Sequence, residues 1–396
     1  MTKRSQDMRI LALMPGTQLF GSERGNIEGY KAMRKTGAKL IVAISNREPG
    51  GGEVGKVLRE ENFQTIAFPY GGRFDKHQMR TIKSYRKRQL KRLWTNSILL
   101  HRAIKEHRIT HVTTGNWLAF LFCGIALTVN RVPLIYRMGD APETGSKFQL
   151  FIWQWMVRRA TTIVAISEFI KAKAIEHSPR SRKKIFVILN RPIQRQGSAS
   201  QQLLEKLETE KLPLQLVYVG QMTSQKGISV LVDALIRLDD PRMGCWIVGG
   251  GKYTANFEAT LKKNVRDSQS KTTIKFFGFQ SDVRPFYLAA DWHIAPSLYE
   301  EPLGNIVQEA KACKTPSIVS PYGGLPELIT PNINGKILKT VSAEAIIETI
   351  RDIADHKDLH DSYGERAFES IKGHLDDSTF DARWRMILAR FNRELT

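Results

Sequence analysis

At 396 residues, with 42% hydrophobic and 25% charged side chains, the chain can bury two cores of about 100–200 residues each, which excludes a disordered tail or a fibre. Cys123, Cys245 and Cys313 lie far apart in apolar or small-residue surroundings with no metal-ligand spacing, so they read as buried thiols in a reducing compartment. The net charge of +21 sits wholly in the first half: residues 1–192 hold 35 Lys and Arg against 13 Asp and Glu, and the rest holds 25 against 26. A basic half beside a neutral one points to a polyanionic partner for that half, an anionic lipid surface or nucleic acid.

The charged N-terminus leads into an apolar run, residues 10–14, that Pro15 stops, too short for a signal-peptide core, so a cytoplasmic protein is expected. Short apolar strands are predicted at 9–14, 40–44, 110–114, 134–136 and 162–166, each followed by a turn and a helical pattern. Between the second and third of these, bases Lys83, Arg86, Lys87, Arg88, Lys91 and Arg92 alternate with apolar Ile82, Tyr85, Leu90, Leu93, Trp94 and Ile98. That is a basic amphipathic helix; it can lie on an anionic membrane, or it can pack its apolar stripe on the sheet with the bases solvated. The longest apolar stretch, residues 117–129, is about 13 residues against the about 20 that cross a bilayer, and reads as a buried helix.

The pattern breaks at residues 190–213, polar with Gly and Ser and a short charged helix, where the interdomain linker is expected. Strands resume at 214–219, 245–248, 274–276, 292–295, 317–319 and 335–338. Strands alternating with helices imply parallel sheets of βαβ units in both halves, an α/β fold. Residues 378–395 place Phe380, Trp384, Ile387, Leu388 and Phe391 on one face of a terminal helix that must dock on something.

Two segments carry candidate chemistry. Residues 217–227 leave a strand through Gly220 and Gln221 and enter a helix with Lys226 at its start. Unpaired N–H groups, a partial positive charge and a lysine together suit a diphosphate, although many ordinary strand-to-helix turns also contain Gly and Lys. Residues 296–310 hold Glu301 ahead of a helix opened by Gly304 and Glu309 about one and a half turns into it. The N–H groups between them can meet phosphate, and each carboxylate can accept paired hydrogen bonds from vicinal hydroxyls. The alternative is a capped surface helix with two solvated acids.

These segments, with 321–327 and Asn334-Gly335, resemble the donor domain of the family 4 retaining glycosyltransferases. The resemblance extends in order over nearly the whole chain: residues 247–251, Phe277-Gly278-Phe279 with Asp282-Val283, and residues 165–168 with Asn190. It implies the GT-B fold, two Rossmann-like domains with parallel sheets facing across a cleft: an acceptor domain (1–192), a linker (193–212), a donor domain (213–377) and a terminal helix (378–396) docking back on the first domain. It also implies that Lys226 meets the donor diphosphate, Glu301 the sugar hydroxyls and Glu309 the ribose. Backbone N–H groups of Leu303, Gly304, Asn305 and Ile306 would cap the phosphates, Gly220 and Gly249 would line the turn, and Phe279 to Val283 the base pocket. Gly21 resembles the glycine of a first-domain loop that lets the donor approach.

Two departures from the family pattern matter. Gln221 stands where an arginine is usual, and a neutral amide cannot replace a cationic phosphate clamp, so Arg137, Arg24 or another first-domain base is expected to supply the second charge, or diphosphate binds more weakly. Asp140 stands in Tyr136-Arg137-Met138-Gly139-Asp140 where relatives carry a histidine near the acceptor; it either orients the acceptor hydroxyl or caps the next helix ahead of Pro142.

The resemblance therefore implies a retaining transferase without cofactor, and because no Asp-x-Asp triplet occurs a metal-bridged diphosphate is not expected. The transferase would move a sugar from a nucleoside-diphosphate donor to a glycan or lipid-linked acceptor, peripherally bound on the inner face of the plasma membrane. The rivals are a nucleotide-sugar epimerase of the same fold and a nucleic-acid-binding protein; the second lacks the aromatic platforms and recognition motifs of common nucleic-acid modules.

Overall fold

A computed structural model describes residues 8–71, 83–142, 145–192, 200–250 and 255–393, the side chains of 391–393 excepted. The chain divides into two compact units, Met1–Asn190 with Asp377–Thr396, and Arg191–Asp376.

The first unit is built on seven parallel strands, β1 (Arg9–Met14), β2 (Lys39–Ser45), β3 (Gln64–Phe68), β4 (His111–Thr114), β5 (Leu134–Met138), β6 (Thr162–Ala165) and β7 (Ile185–Val187), in the order β3-β2-β1-β4-β5-β6-β7. Helices cover both faces, so the interior strand β1 is buried on both sides and reads as a continuous apolar run. Strand β3 goes beyond the elements expected from sequence, whereas β7 is the strand expected to end at Asn190-Arg191-Pro192. Both lie at the sheet edges, where one flank faces no neighbouring strand and polar residues such as Gln64 and Thr65 are tolerated.

The terminal helix Asp377–Arg393 belongs to this first unit. Its Phe380, Trp384, Ile387 and Leu388 are buried in the same cluster as Ile27, Tyr30 and Met33 of the helix Gly21–Lys35; the side chain of Phe391 lies outside the described residues. Gly29 makes room for the Trp384 ring, which would stand 3.1 Å from a Cβ there. Lys35 bridges Asp377 at 3.3 Å and Asp381 at 2.9 Å.

The second unit carries six parallel strands, β8 (Leu214–Val219), β9 (Met243–Val248), β10 (Thr273–Gly278), β11 (Trp292–Ala295), β12 (Ser317–Val319) and β13 (Gly335–Ile337), in the order β10-β9-β8-β11-β12-β13. This is the doubly wound α/β order. The stretch expected to be a linker is partly structure: Gln201–Glu210 form a helix whose Leu207 is buried with Val217, Trp246 and Phe286. Its apolar Leu203, Leu204 and Leu207 fall on one face, so packing recruits it into the second unit, and the division falls at Asn190–Arg191. Residues 193–199 lie outside the described residues. Among the described residues, no helix is long and apolar enough to cross a membrane.

Candidate functional site

In an open α/β sheet, a crevice forms beyond the carboxyl ends of the strands where the strand order reverses. In the second unit that point lies between β8 and β11. The segments singled out from sequence follow these strand ends and those of the neighbours: Gly220, Gln221 and Lys226 after β8, Gly249 after β9, Phe279 and Val283 after β10, and Glu301 to Glu309 after β11.

The turn after β8 is held to the turn after β11 by backbone. Gly227, at φ +69°, presses against Pro296 so closely that a Cβ would overlap the Pro296 carbonyl oxygen. The Leu298 N–H donates to the Gln225 carbonyl at 2.8 Å. This lacing sets the Lys226 ammonium 2.9 Å from the Glu301 carboxylate and 3.1 Å from the Tyr299 hydroxyl, to which it donates. Ser297 donates its hydroxyl to the same Glu301 carboxylate, which is buried. Burial works to lower the Lys226 pKa, but Glu301 and Tyr299 outweigh it and leave the pKa above the ordinary lysine value, so the group is cationic at neutral pH.

Behind this pair, Gly323 and Gly324 pack on the backbone of residues 300–303, and the Gly324 N–H donates to the Glu301 carbonyl at 2.7 Å. Gly304, at φ +103°, is the N-cap of the helix Asn305–Ala312, and no side chain caps that helix. Its first turn therefore offers N–H groups and a partial positive charge at the crevice. Leu303 is buried, while Asn305 and Ile306 are half-buried.

Glu309 is half-buried on the same helix. One turn on, burial pushes the Cys313 thiol up to about 12, the charges of Glu309 and Asp282 push in the same direction, and Arg284 opposes them. The Asp282–Arg284 ion pair, 2.7 Å, flanks Val283 in the loop after β10. Phe279, beside this loop, is exposed. The two carboxylates differ in setting: Glu301 is buried and paired with Lys226, whereas Glu309 is half-buried along the helix Asn305–Ala312. Burial of Glu301 removes the reading of two solvated surface acids.

Three contributors were not picked out from sequence. Tyr299 and Ser297 lie inside the segment already flagged, two and four residues before Glu301, but their partners show only in space. Lys311 is buried with its ammonium donating to the Leu328 carbonyl and to Ser370, which ties the loop after β12 to the helix bearing Glu309. Burial lowers its pKa to about 8.

Gly21 and Asp140 lie in the first unit. Gly21 is exposed and opens the helix Gly21–Lys35; Asp140 is exposed after β5, and the next described helix, Lys147–Arg159, is capped by Ser146 instead. Arg137, considered as a second phosphate clamp, is buried and donates to Asn26 at 2.9 Å and to Asn190. Gln221 is exposed. A cavity of about 300 Å³ lined by Trp292, Lys336, Asp352, His356, His360 and Tyr363 lies near the starts of β11 and β13, away from the crevice.

Residues 200–370 match the family described as Glycosyl transferases group 1, and residues 23–190 match Glycosyltransferase Family 4. The lipopolysaccharide core biosynthesis glycosyltransferase LpsE of Rhizobium meliloti is 28% identical over 184 residues, 46% of this chain and 52% of that protein. The amylovoran biosynthesis glycosyltransferase AmsK of Erwinia amylovora is 30% identical over 144 residues, 34% of each. The match thus spans about half the length of the first relative and a third of the second. Among solved structures, Anabaena HepE in complex with UDP superposes with a TM-score of 0.79 at 19% identity, over 97% of this chain and 100% of that one. A glycosyltransferase from Rickettsia africae reaches 0.77 at 23% identity, over 96% and 99%. Two doubly wound units of parallel strands, the order of the matched segments and both family matches agree, and the chain belongs to the family 4, group 1 glycosyltransferases of GT-B fold.

Proposed function

We propose that the protein transfers a sugar from a nucleoside-diphosphate donor to a glycan or lipid-linked acceptor with retention at the anomeric carbon. The observation that carries this reading is the Lys226–Glu301 pair, 2.9 Å apart, at the strand-order reversal beside an uncapped helix N-terminus. Lys226 and the N–H groups of residues 303–306 stabilise the diphosphate as it leaves, preorganised charge meeting developing charge without a metal bridge. Glu301 accepts hydrogen bonds from sugar hydroxyls and Glu309 from the ribose, each acting as a paired acceptor. Gly220, Gly249, Phe279 and Val283 border the nucleotide, and Gly21 and Asp140 serve donor approach and acceptor orientation from the first unit. The bond from the anomeric carbon to the leaving phosphate oxygen breaks, the acceptor oxygen bonds to the same face, and a leaving-phosphate oxygen takes the acceptor proton. HepE, of the same fold, is known in complex with UDP, which supports a uridine donor as the first to try. The basic first unit is read as the side that meets an anionic leaflet, with the enzyme peripheral on the cytoplasmic face.

The test is calorimetric binding of a panel of nucleotide sugars to the parent, Lys226→Ala and Glu309→Ala. Loss of one charged hydrogen bond, about 1.5–3 kcal/mol, should weaken donor binding roughly 10- to 150-fold with the fold intact. Parent-like affinity in both variants would overturn the donor assignment. Glu301→Gln should bind free nucleoside diphosphate as the parent does while turning over more slowly.

A further inference from the structure

The helix Lys83–Glu106 is turned against the usual rule. Its buried side chains are Tyr85, Gln89, Asn96, Leu100 and Ala103, and two of these are amides. Asn96 spends its Nδ2 on the carbonyls of Pro69, 3.1 Å, and Arg92, 2.8 Å. Three large apolar side chains point outward instead: Leu90 is 48% exposed, Trp94 67% and Ile98 50%. A helix of a monomeric soluble protein normally does the reverse, apolar stripe to the core and amides to water.

These three lie at i, i+4 and i+8 and form one ridge. At 3.6 residues per turn, Lys83, Arg86, Lys87, Lys91, Arg102 and Lys105 fall within about 80° of Trp94, and all six are exposed. The only acid in the helix is its last residue, Glu106. The neighbouring helix Trp117–Asn130 has no charged residue and exposes Ile125 and Val129. The two helices are joined where His101 Nδ1 meets Asn130 Oδ1 at 2.8 Å.

We propose that this ridge inserts into the headgroup and acyl boundary of an anionic bilayer leaflet, so that the protein docks by apolar insertion as well as by charge. The proposal rests on the reading above that an anionic leaflet faces the first unit, and adds the inserted side chains. Charge complementarity selects the occupant. An isologous pairing of two copies would set these cations against their own counterparts. A nucleic-acid backbone would match the bases but leave Leu90, Ile98, Ile125 and Val129 against phosphate or water, whereas the lipid boundary takes both an apolar ridge and a basic collar.

The test uses the full chain, vesicles with roughly 30% phosphatidylglycerol, and matched vesicles whose acyl chains carry bromine as a contact quencher of tryptophan. Bound parent should show blue-shifted emission that the brominated chains quench, and binding that persists in part at about 0.5 M salt, where screening has removed most of the electrostatic attraction. Trp94→Ser should lose that quenching, bind at least 10-fold more weakly at about 0.15 M salt and not at all at about 0.5 M. It should bind nucleotide sugar as the parent does, which verifies that the exposed substitution leaves the fold intact. Bound parent without quenching would overturn insertion while leaving charge docking in place; no binding by the parent would overturn both. A dimer in sedimentation velocity that Trp94→Ser dissociates, or quenching by single-stranded RNA but not by vesicles, would assign the ridge to another partner and overturn the proposal.

Discussion

Both units wind their strands in the same order from the same reversal, between β1 and β4 in the first and between β8 and β11 in the second, yet what occupies the two reversal points differs. In the second unit the turns meet backbone to backbone, Gly227 on Pro296 and Gly323 on Glu301, and this leaves Lys226 and Glu301 as the polar groups at the crevice. In the first, side chains of the unit itself fill the corresponding place: Asn26 stands 2.6 Å from where a Cβ on Gly115 would be, and buried Arg137 binds Asn26 and Asn190. One architecture thus supplies two crevices, and side chains decide which of them can take a charged ligand. The surplus of bases follows the same division, lying wholly in residues 1–192.

Glycine substitution at the two reversals tests the contrast most severely. Gly227→Ala puts a Cβ into a carbonyl oxygen at a left-handed φ, and should cost roughly 3–5 kcal/mol in urea unfolding. Gly115→Ala meets only the end of the Asn26 side chain, and should cost about 1–2 kcal/mol. Equal costs would show that backbone lacing does not distinguish the units.

Acid should reveal what the units share. His111 in β4 and His293 in β11 are both buried, and burial lowers their pKa values to about 4 and about 3. Each stays neutral when folded but gains a proton when unfolded, so the stability they contribute is complete above about pH 6.5 and is lost as pH falls toward the folded values. At about 1.4 kcal/mol per pH unit for each proton, the loss by pH 4 is on the order of 3 kcal/mol per histidine. Calorimetric scans of His111→Leu and His293→Leu should each flatten the acid slope of one unit only. A slope unchanged in both would mean that other groups carry the acid sensitivity.

The smallest effect sharpens the comparison at one hydroxyl. Tyr299→Phe removes an acceptor of the Lys226 ammonium and leaves its Glu301 partner, so donor affinity should fall by about 1 kcal/mol, several-fold, with little change in the melting temperature. Parent-like affinity would show that the Tyr299 hydroxyl does not position the lysine.

Much of this was legible in order along the chain. Alternating apolar runs and helical patterns, the glycine turns at 220–227 and 304, and the carboxylates of residues 296–310 identify two α/β units and point to the candidate site, because strand period, turn chemistry and motif spacing are local properties. Tertiary structure decided whatever depends on partners distant in sequence. Tyr299 meets Lys226 across 73 residues, the need for glycine at 227 comes from a carbonyl at 296, and the helix 201–210 joins the second unit because Leu207 finds a core there. The base-rich helix shows the limit most clearly: its composition declares that it has an apolar stripe, but packing of Gln89 and Asn96 inward turned Trp94 out. Periodicity specifies that a face exists; which face is buried is settled by the neighbours it can fit.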